Sequence, residues 1–242
     1  MRLDAFLVTN GLCRSRATAA EAVKAGQVTV NGKVTAKPSY EVPDGAAVMV
    51  AETKEKYVSR GGYKLEGALS AFSLDVTGFS CADIGASTGG FTDCLLQHGA
   101  ASVLAIDAGS DQLVSSLRTD PRVTSLENTN IRSFTPEMPH FADFVCVDVS
   151  FISLKLVFPA IDLLLRAGGC AVCLIKPQFE AGREHLNKNG IVRDKKIYET
   201  VISSVTDAAR EHGLMTERVI ESPIRGGDGN TEFLALMKKG AV

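Results

Sequence analysis

The sequence has no tryptophan and few of the side chains from which metal sites are built. Only four histidines are present, and they are scattered: His98, His140, His185 and His212. No second cysteine pair or nearby histidine completes a zinc-ligand pattern, so we expect no metal. No uncharged apolar run approaches the roughly 20 residues of a membrane-spanning helix. These absences predict a protein that neither binds zinc nor crosses a membrane.

The six cysteines lack the regular spacing of a disulfide framework, because most of them lie within apolar runs. Such usage is typical of a reducing compartment. Cys170 and Cys173 form a C-A-V-C pair, and strand residues three apart point to opposite faces, so we expect both to pack in the core. Asp4 interrupts the first apolar stretch and no cleavage site follows, which argues against a secretory signal. We expect a soluble, cytoplasmic protein.

The chain as a whole has little net charge, but its first part has an excess of basic residues. The formal net charge is −2 over 242 residues, whereas residues 1–37 carry six basic and two acidic side chains. With 45% hydrophobic residues, the chain can bury one large core and retain a small second domain. The sequence therefore predicts a modest basic region ahead of a larger domain.

Two helices and a hairpin are predicted before residue 53. One helix face is formed by Leu3, Phe6, Leu7 and Leu12. Ser15 can cap a second helix over 17–25, which Gly26 closes. Strands at 27–30 and 33–36 flank Asn31-Gly32, a pair that favours a type I′ turn.

This pattern resembles the S4 RNA-binding domain over roughly residues 1–46. The resemblance is carried by Arg2, Asp4, Ser15-Arg16, Ala20, Val23, Gly26, Val28 and Val30-Asn31-Gly32. It implies RNA contact through Arg2, Arg14, Arg16 and Lys24. Guanidinium groups suit phosphate oxygens, although an ordinary solvated helix face would also carry such residues. We place this small α+β domain at 1–53 and a charged linker at 54–58.

Strand-like runs alternate with amphipathic stretches through the remaining domain, 59–242. We expect strands at 81–84, 102–106, 123–126, 142–147 and 169–175, and helices near 91–97, 111–118, 153–165 and 195–212. This alternation predicts a parallel sheet covered on both faces, an α/β fold. Two final strands, 214–222 and 232–238, predict a C-terminal antiparallel hairpin. That ending favours a class I (Rossmann-like) methyltransferase sheet over a dehydrogenase sheet.

A glycine-rich turn, Asp83-Ile-Gly85-Ala86-Ser87-Thr-Gly89-Gly90, links a predicted strand to a predicted helix. Its spacing is not G-x-G-x-x-G, and the acid before the first glycine suits a cationic ligand better than a pyrophosphate. Asp107 ends the next strand, where a carboxylate can accept both hydroxyls of a ribose. The missing middle glycine disfavours a nicotinamide cofactor, the alternative.

The same residues resemble the S-adenosylmethionine site of class I methyltransferases. The resemblance implies that Asp83, Gly85, Ala86, Ser87, Gly89, Gly90, Phe91 and Asp107 bind this cofactor. It also places Asn130 near the adenine, although a simple turn residue would fit there equally well.

Asp148 is the first candidate for the reacting centre, because it follows strand 142–147 at the carboxyl edge of the sheet. Enzymes that methylate exocyclic amines commonly show N-P-P-Y or D-P-P-Y here, and this chain has D-V-S-F. Base carbon methylation needs a nucleophilic cysteine, typically in a Pro-Cys pair, which Cys146 lacks. An oxygen acceptor is favoured by exclusion.

Lys64, Asp148, Lys176 and Glu232 match the Lys-Asp-Lys-Glu set of FtsJ-like RNA ribose 2′-O-methyltransferases. With an S4-like domain in front, the chain resembles the TlyA family, often labelled hemolysin-like. The resemblance implies S-adenosylmethionine as cofactor, ribosomal RNA or ribosomal subunits as partner, and cytidine as acceptor. Lys176 would orient or deprotonate the 2′-hydroxyl or, if protonated, stabilise the oxyanion. Lys64 and Glu232 would hold the ribose.

Further RNA contacts are predicted at Arg60 and at Arg183, Lys188 and Arg193, the last three facing phosphate. Phe151, Phe179 and the segment 180–193 are candidates for a loop over the acceptor nucleotide, although a solvated surface loop is equally compatible. Two other functions stay open: a membrane-acting hemolysin, and an RNA-binding module with an inactive transferase half. The sequence does not define the oligomeric state.

Deletion of residues 1–53 tests the RNA-binding prediction for the first domain. We expect the truncated protein to bind RNA more weakly, with a shallower dependence of affinity on salt, because fewer phosphate contacts release fewer counterions. A salt titration of RNA binding measures both quantities. Unchanged affinity and slope would refute the prediction.

Overall fold

The computed structural model of the chain describes residues 1–13, 15–51, 55–192 and 194–240. It divides into two compact units, Met1–Lys56 and Tyr57–Val242. The predicted domain boundary at 53 and the first linker residue, 54, lie outside the described residues. The predicted RNA contacts Arg14 and Arg193 also lie outside them.

The first unit consists of two helices and a three-stranded sheet, α1 (Leu3–Thr9), α2 (Arg16–Lys24), β1 (Val28–Val30), β2 (Lys33–Val34) and β3 (Val48–Val50). Ser15 caps α2 by accepting a hydrogen bond from the Thr18 N–H at 3.2 Å. Asn31 and Gly32 both have positive φ, 50° and 77°, as a type I′ turn requires. The predicted helix pair and hairpin are confirmed, but α1 ends at Thr9, so Leu12 lies beyond the helix and is exposed. The third strand was missed, because its three residues lack a turn signal and depend on pairing with β1.

The second unit is built on a seven-stranded sheet in the order β6-β5-β4-β7-β8-β10-β9. Its strands are β4 (Ser80–Ile84), β5 (Ser102–Ile106), β6 (Val123–Leu126), β7 (Ala142–Val147), β8 (Leu165–Ile175), β9 (Leu214–Glu221) and β10 (Phe233–Lys239). The pairs among β4 to β8 are parallel, whereas β10 is antiparallel to both neighbours. The predicted methyltransferase-type sheet with its terminal hairpin is confirmed.

Helices cover both faces of this sheet: α3 (Gly61–Phe72), α4 (Gly90–Gln97), α5 (Ser115–Arg118), α6 (Phe158–Leu164), α7 (Pro177–Glu180) and α8 (Ile197–Glu211). Alternate strand residues pack on opposite sides. Phe144 and Cys146 belong to the apolar core beneath α3 and α4, whereas Val145 and Val147 belong to the core beneath α6 and α8. Because alternate residues pack into separate cores, the sheet is held on both faces, and the ends of its strands are fixed in position.

Three helical segments differ from the prediction. Helix α3 was not predicted, although Leu65, Leu69 and Phe72 follow helical spacing, because Gly61-Gly62 suggested a turn. The segment expected to be helical over 111–118 is helical only at Ser115–Arg118, since the Glu127 carboxylate binds the backbone N–H groups of residues 111–113. The expected helix 153–165 divides into a 3₁₀ turn, Leu154–Leu156, and α6.

The sheet order places a topological switch point between β4 and β7. From β4 the chain proceeds outward through β5 and β6, and then returns to the other side of β4 with β7. Crossover connections on either side of this point leave a crevice at the carboxyl ends of the two strands, where open α/β sheets bind ligands. Gly85 and Asp148 begin the segments that follow these two strand ends.

Two adjacent glycines at the start of α3 provide a matched test of packing. A Cβ added at Gly62 would overlap the buried Tyr57 side chain, whereas one at Gly61 would find its nearest neighbour, Ser59 Oγ, at 3.5 Å. We expect Gly62→Ala to lower the free energy of unfolding by about 1–3 kcal/mol. Gly61→Ala, with the same change in helix propensity, should leave it nearly unchanged. Urea unfolding of both variants measures the difference, and equal effects would contradict the steric explanation.

Candidate active site

Four charged side chains from separate elements converge at the carboxyl edge of the sheet. Lys64 lies on α3, Asp148 follows β7, Lys176 follows β8 and Glu232 precedes β10. The Nζ of Lys64 is 2.7 Å from Glu232 Oε2 and 3.8 Å from Asp148 Oδ2. The Nζ of Lys176 is 2.6 Å from Asp148 Oδ1. The sequence-predicted catalytic set is therefore one continuous cluster, in the order Glu232, Lys64, Asp148, Lys176.

Burial makes the alternation of charge in this tetrad necessary. Lys64 and Lys176 are only 9% and 8% exposed, and Glu232 is 3% exposed. A buried charge without a partner is costly, whereas here each cation lies beside an anion. The tetrad thus holds two amines and two carboxylates in fixed positions close to solvent.

Lys176 has a further partner, which the sequence analysis missed. Its Nζ donates to Ser150 Oγ at 2.8 Å and lies 5.8 Å from the centre of the Phe179 ring. Ser150 is two residues beyond Asp148, so its place after a strand end at the sheet edge was a usable signal. An ammonium group has three N–H donors, of which one binds Ser150 and another lies beside Asp148 in the ion pair. A third donor is left for a ligand.

Two cavities adjoin this tetrad within the second unit. A cavity of about 290 Å³ is lined by residues that include Arg60, Lys64, Ala86, Ser87, Gly90, Phe91, Asp148 and Lys176. A cavity of about 780 Å³ is lined by residues that include Ile106, Asp107, Asn130, Ile131 and Phe151. Gly85, Ser87, Asp148 and Ser150 line both. The glycine-rich turn and the segment after β7 therefore form the shared wall.

Gly85 brings these two segments together. Its φ is +84°, and a Cβ at this position would overlap the backbone carbonyl of Asp148. Only glycine has neither the steric penalty at this φ nor the side chain that would separate the two segments. The turn and the tetrad are consequently in backbone contact.

Asp107 and Asn130 line the larger cavity, but both already hold backbone groups. The Asp107 carboxylate accepts hydrogen bonds from the N–H groups of Ser87 and Gly109, each at 2.7 Å. Asn130 Oδ1 accepts from the Arg132 N–H at 3.1 Å, which caps a short 3₁₀ turn. Each carboxylate oxygen of Asp107 has a second lone pair, so the side chain can still accept ribose hydroxyls.

Asp83 and Gly89 line neither cavity. The Asp83 side chain is fully buried, and its Oδ2 accepts from Thr92 Oγ1 at 2.7 Å. Burial raises the pKa of Asp83 to about 7, and the nearby charge of Asp148 adds to the increase, whereas the Thr92 hydrogen bond opposes it. Gly89 faces Leu113 and Leu117. These two residues support the turn from beneath.

The predicted RNA contacts lie in both units. In the first, Asp4 Oδ2 binds Arg2 at 2.9 Å and Arg16 at 3.0 Å, and Lys24 is exposed at the end of α2. The hydrogen bonds from Arg2 and Arg16 hold the pKa of Asp4 well below its usual range. In the second unit, Arg60 lies at the smaller cavity and donates to the Arg225 carbonyl at 3.3 Å, and exposed Arg183 begins a 3₁₀ turn.

Neither a metal cluster nor a membrane helix is found in the described part of the chain. No group of three or more His, Cys, Asp or Glu side chains there could hold a metal ion. None of the helices described is both long and apolar enough to cross a membrane.

The sheet order, the crevice and the buried tetrad define a methyltransferase of the class I fold. Comparison with known families identifies the two domains. The FtsJ-like methyltransferase model matches residues 57–239, and the S4 domain model matches residues 1–48. The chain belongs to the TlyA family, which combines these two domains.

Relatives of nearly the same length carry two kinds of name. The 16S/23S rRNA (cytidine-2′-O)-methyltransferase TlyA of Mycobacterium tuberculosis is 44% identical over 98% of this chain and 89% of its own length. Hemolysin A of Brachyspira hyodysenteriae is 43% identical over 97% of this chain and 98% of its own length. A solved structure from Streptococcus thermophilus, provisionally designated a hemolysin, is 46% identical with a TM-score of 0.78. It covers 99% of this chain, and the match covers 88% of that one.

The raised pKa of Asp83 predicts a pH dependence of stability. Between the usual pKa of an aspartate, near 4, and about 7, the folded protein binds a proton that the unfolded chain has released. Stability should therefore fall as the pH rises through this range, by at most about 1.4 kcal/mol per pH unit. Asp83→Asn, which can still accept from Thr92, should remove the contribution of Asp83 to this slope, whereas Glu180, whose pKa is also raised by burial, contributes in both proteins. Urea unfolding between pH 4.5 and 7.5 measures it; parallel profiles for the two proteins would contradict the assignment.

Proposed function

We propose that this protein transfers a methyl group from S-adenosylmethionine to a ribose 2′-hydroxyl of ribosomal RNA, with cytidine as the acceptor nucleoside. The observation that carries the proposal is the buried Lys64–Asp148–Lys176–Glu232 tetrad beside the glycine-rich turn. The activity named for the M. tuberculosis relative supports the choice of RNA and nucleoside. Ribosomal subunits as partner imply a cytoplasmic location.

The two cavities fit such a cofactor in size and in chemistry. The larger has apolar walls at Ile106 and Ile131 that suit a purine, and Asp107 can accept ribose hydroxyls. The smaller leads past Ser87 to the tetrad, which would place the methyl-bearing end beside the acceptor. Gly85, Ala86, Gly90 and Phe91 would form the walls of this passage, with Asp83 and Gly89 supporting it from below.

The residues of the tetrad are suited to a hydroxyl acceptor. When bound, the cofactor supplies an electrophilic methyl group, which the 2′-oxygen takes as the carbon–sulfur bond breaks. A new carbon–oxygen bond forms, and the hydroxyl proton passes to solvent at the mouth of the cavity, so negative charge develops on the oxygen during transfer. Lys176, held by Asp148 and Ser150, can direct its remaining N–H at that oxygen and stabilise the charge. Lys64, which lines the same cavity, would hold the ribose beside it, and Glu232, which lines neither cavity, would act by fixing Lys64 through their ion pair.

Phe151 is the best candidate to contact the acceptor base. It is 88% exposed, has a φ of +66°, and its ring centre lies 5.3 Å from that of Phe179. A left-handed backbone at a bulky residue is unfavourable, and an exposed ring contributes little to folding. Stacking on a base would account for both features. Arg60 and Arg183 would bind flanking phosphates, and the Arg2, Arg14, Arg16 and Lys24 side chains would bind RNA through the first unit.

Transfer of labelled methyl groups to ribosomal subunits that lack the modification tests the proposal. We expect ribose-linked label with the wild-type protein and a loss on the order of 100-fold or more with Lys176→Ala, because an oxyanion stabiliser is removed. Lys155→Ala is the matched control, since Lys155 donates to Ser204 outside the tetrad. It should retain activity.

The outcomes separate the alternatives. Label on a base instead of a ribose would refute the acceptor assignment. No label on either subunit, with folded protein and bound cofactor, would favour the RNA-binding module with an inactive transferase half.

A further inference from the structure

One buried amide joins two loops beside the tetrad. Asn230 is 1% exposed, and its Oδ1 accepts from the Val192 N–H while its Nδ2 donates to the Gly190 carbonyl, both at 3.1 Å. Both ends of the side chain are therefore satisfied by the backbone of a segment about 40 residues earlier in sequence. A buried amide bonded at both ends fixes the relative position of the elements that it joins.

The first of these loops is a short hairpin, residues 186–192. Leu186 and Val192 form an antiparallel bridge, and Asn187 Oδ1 accepts from the N–H groups of Asn189 and Ile191. The tip carries exposed Lys188, and exposed Arg183 precedes the hairpin. Helix α7 and the 3₁₀ turn at Arg183–His185 separate Lys176 from this hairpin, which therefore lies on the connection that follows β8.

The second loop, residues 222–231, leads directly into Glu232. The Gly226 N–H donates to the Asn230 carbonyl at 3.0 Å, and the Ser222 N–H donates to the Glu232 carbonyl at 2.9 Å. A Cβ built on Gly226 would lie 2.5 Å from Glu232 Oε1, so the loop backbone packs against the carboxylate without an intervening side chain. Movement of Asn230 must therefore move the wall that contacts Glu232.

We propose that Asn230 is a positioning residue that couples the 186–192 hairpin to Glu232. This inference rests on the proposed function, because it requires the hairpin region to bind the RNA. Arg183 and Lys188 would contact the phosphate backbone there. RNA bound at the hairpin holds Asn230, and Asn230 holds the 222–231 loop against the carboxylate that pairs with Lys64. Contact with RNA and correct geometry of the tetrad are then linked through one side chain.

Asn230→Asp and Asn189→Ala form the pair for the kinetic test. Asn230→Asp keeps an acceptor for the Val192 N–H but repels the Gly190 carbonyl, whereas Asn189→Ala removes an exposed amide on the same hairpin without adding a negative charge beside Lys188. With ribosomal subunits as substrate, we expect Asn230→Asp to lower kcat at least tenfold and to raise KM at least threefold. Asn189→Ala should change neither by more than twofold. Both variants should bind the cofactor with the affinity of the wild-type protein. A general loss of folding would instead weaken cofactor binding.

A second set of variants tests the route through the hairpin. Arg183→Ala combined with Lys188→Ala should raise KM in the wild-type background but not further in the Asn230→Asp background, because the hairpin is already displaced there. Additive effects on KM, or an unchanged kcat for folded Asn230→Asp, would overturn the coupling.

Amide hydrogen exchange of Asn230→Ala, without RNA, tests the coupling independently of any activity. We expect exchange at Val192 and at Ser222 to be at least tenfold faster than in the wild type. Faster exchange at Val192 alone would show that the hairpin is anchored but not coupled to Glu232, and would overturn the proposal. If the wild-type protein does not methylate ribosomal subunits, the proposed function fails, while the exchange data still decide the coupling.

Discussion

The site depends on the chain of alternating charges from Glu232 through Lys64 and Asp148 to Lys176. Each member comes from a different element, so the chain of ion pairs can form only when α3 and the ends of β7, β8 and β10 are in register. Loss of one member would leave its neighbour as a buried charge without a partner. Such a charge costs more free energy than replacement of the whole set by apolar residues. The tetrad is consequently a constraint on the fold as well as the proposed reacting centre.

The glycine-rich turn shares this constraint through its backbone contact with Asp148 at Gly85. The two cavities have a common wall made of the turn and of the segment after β7. A displacement of either segment would alter both cavities together. Under the proposed function, this packing of main chain on main chain would link cofactor binding to the placement of the acceptor hydroxyl, with no flexible side chain between them.

The parts of the fold that were predictable are those with a local signal. Short stretches of sequence predict the alternation of strands and helices, the Asn31-Gly32 turn and the Ser15 cap. Helix α3 was missed because its first residues are glycines, and the segment 111–118 was overextended because its N–H groups are taken by Glu127, a residue from the far side of β6. Such long-range satisfaction of backbone donors has no local signature.

The candidate site was predicted as four residues, and the structure places all four together. Ser150 and Asn230 were missed for different reasons. Ser150 lay inside a motif that was interpreted through Asp148 alone, and Asn230 stood in a glycine-rich stretch that was interpreted as a turn. A side chain whose two partners are backbone groups of a distant loop cannot be found from spacing. Conversely, Asp83 was predicted at the ligand and lies beneath the turn, because strand alternation directs it towards Thr92.

The ion pairs of Asp4 have a consequence for the entropy of association. A free arginine on a protein surface samples many rotamers and loses them when it binds a phosphate. The guanidinium groups of Arg2 and Arg16 are already restrained by one carboxylate, so part of that loss occurs when the domain folds. An anionic partner then binds two cations whose spacing is already fixed. The negative charge of Asp4 weakens their attraction for that partner in return.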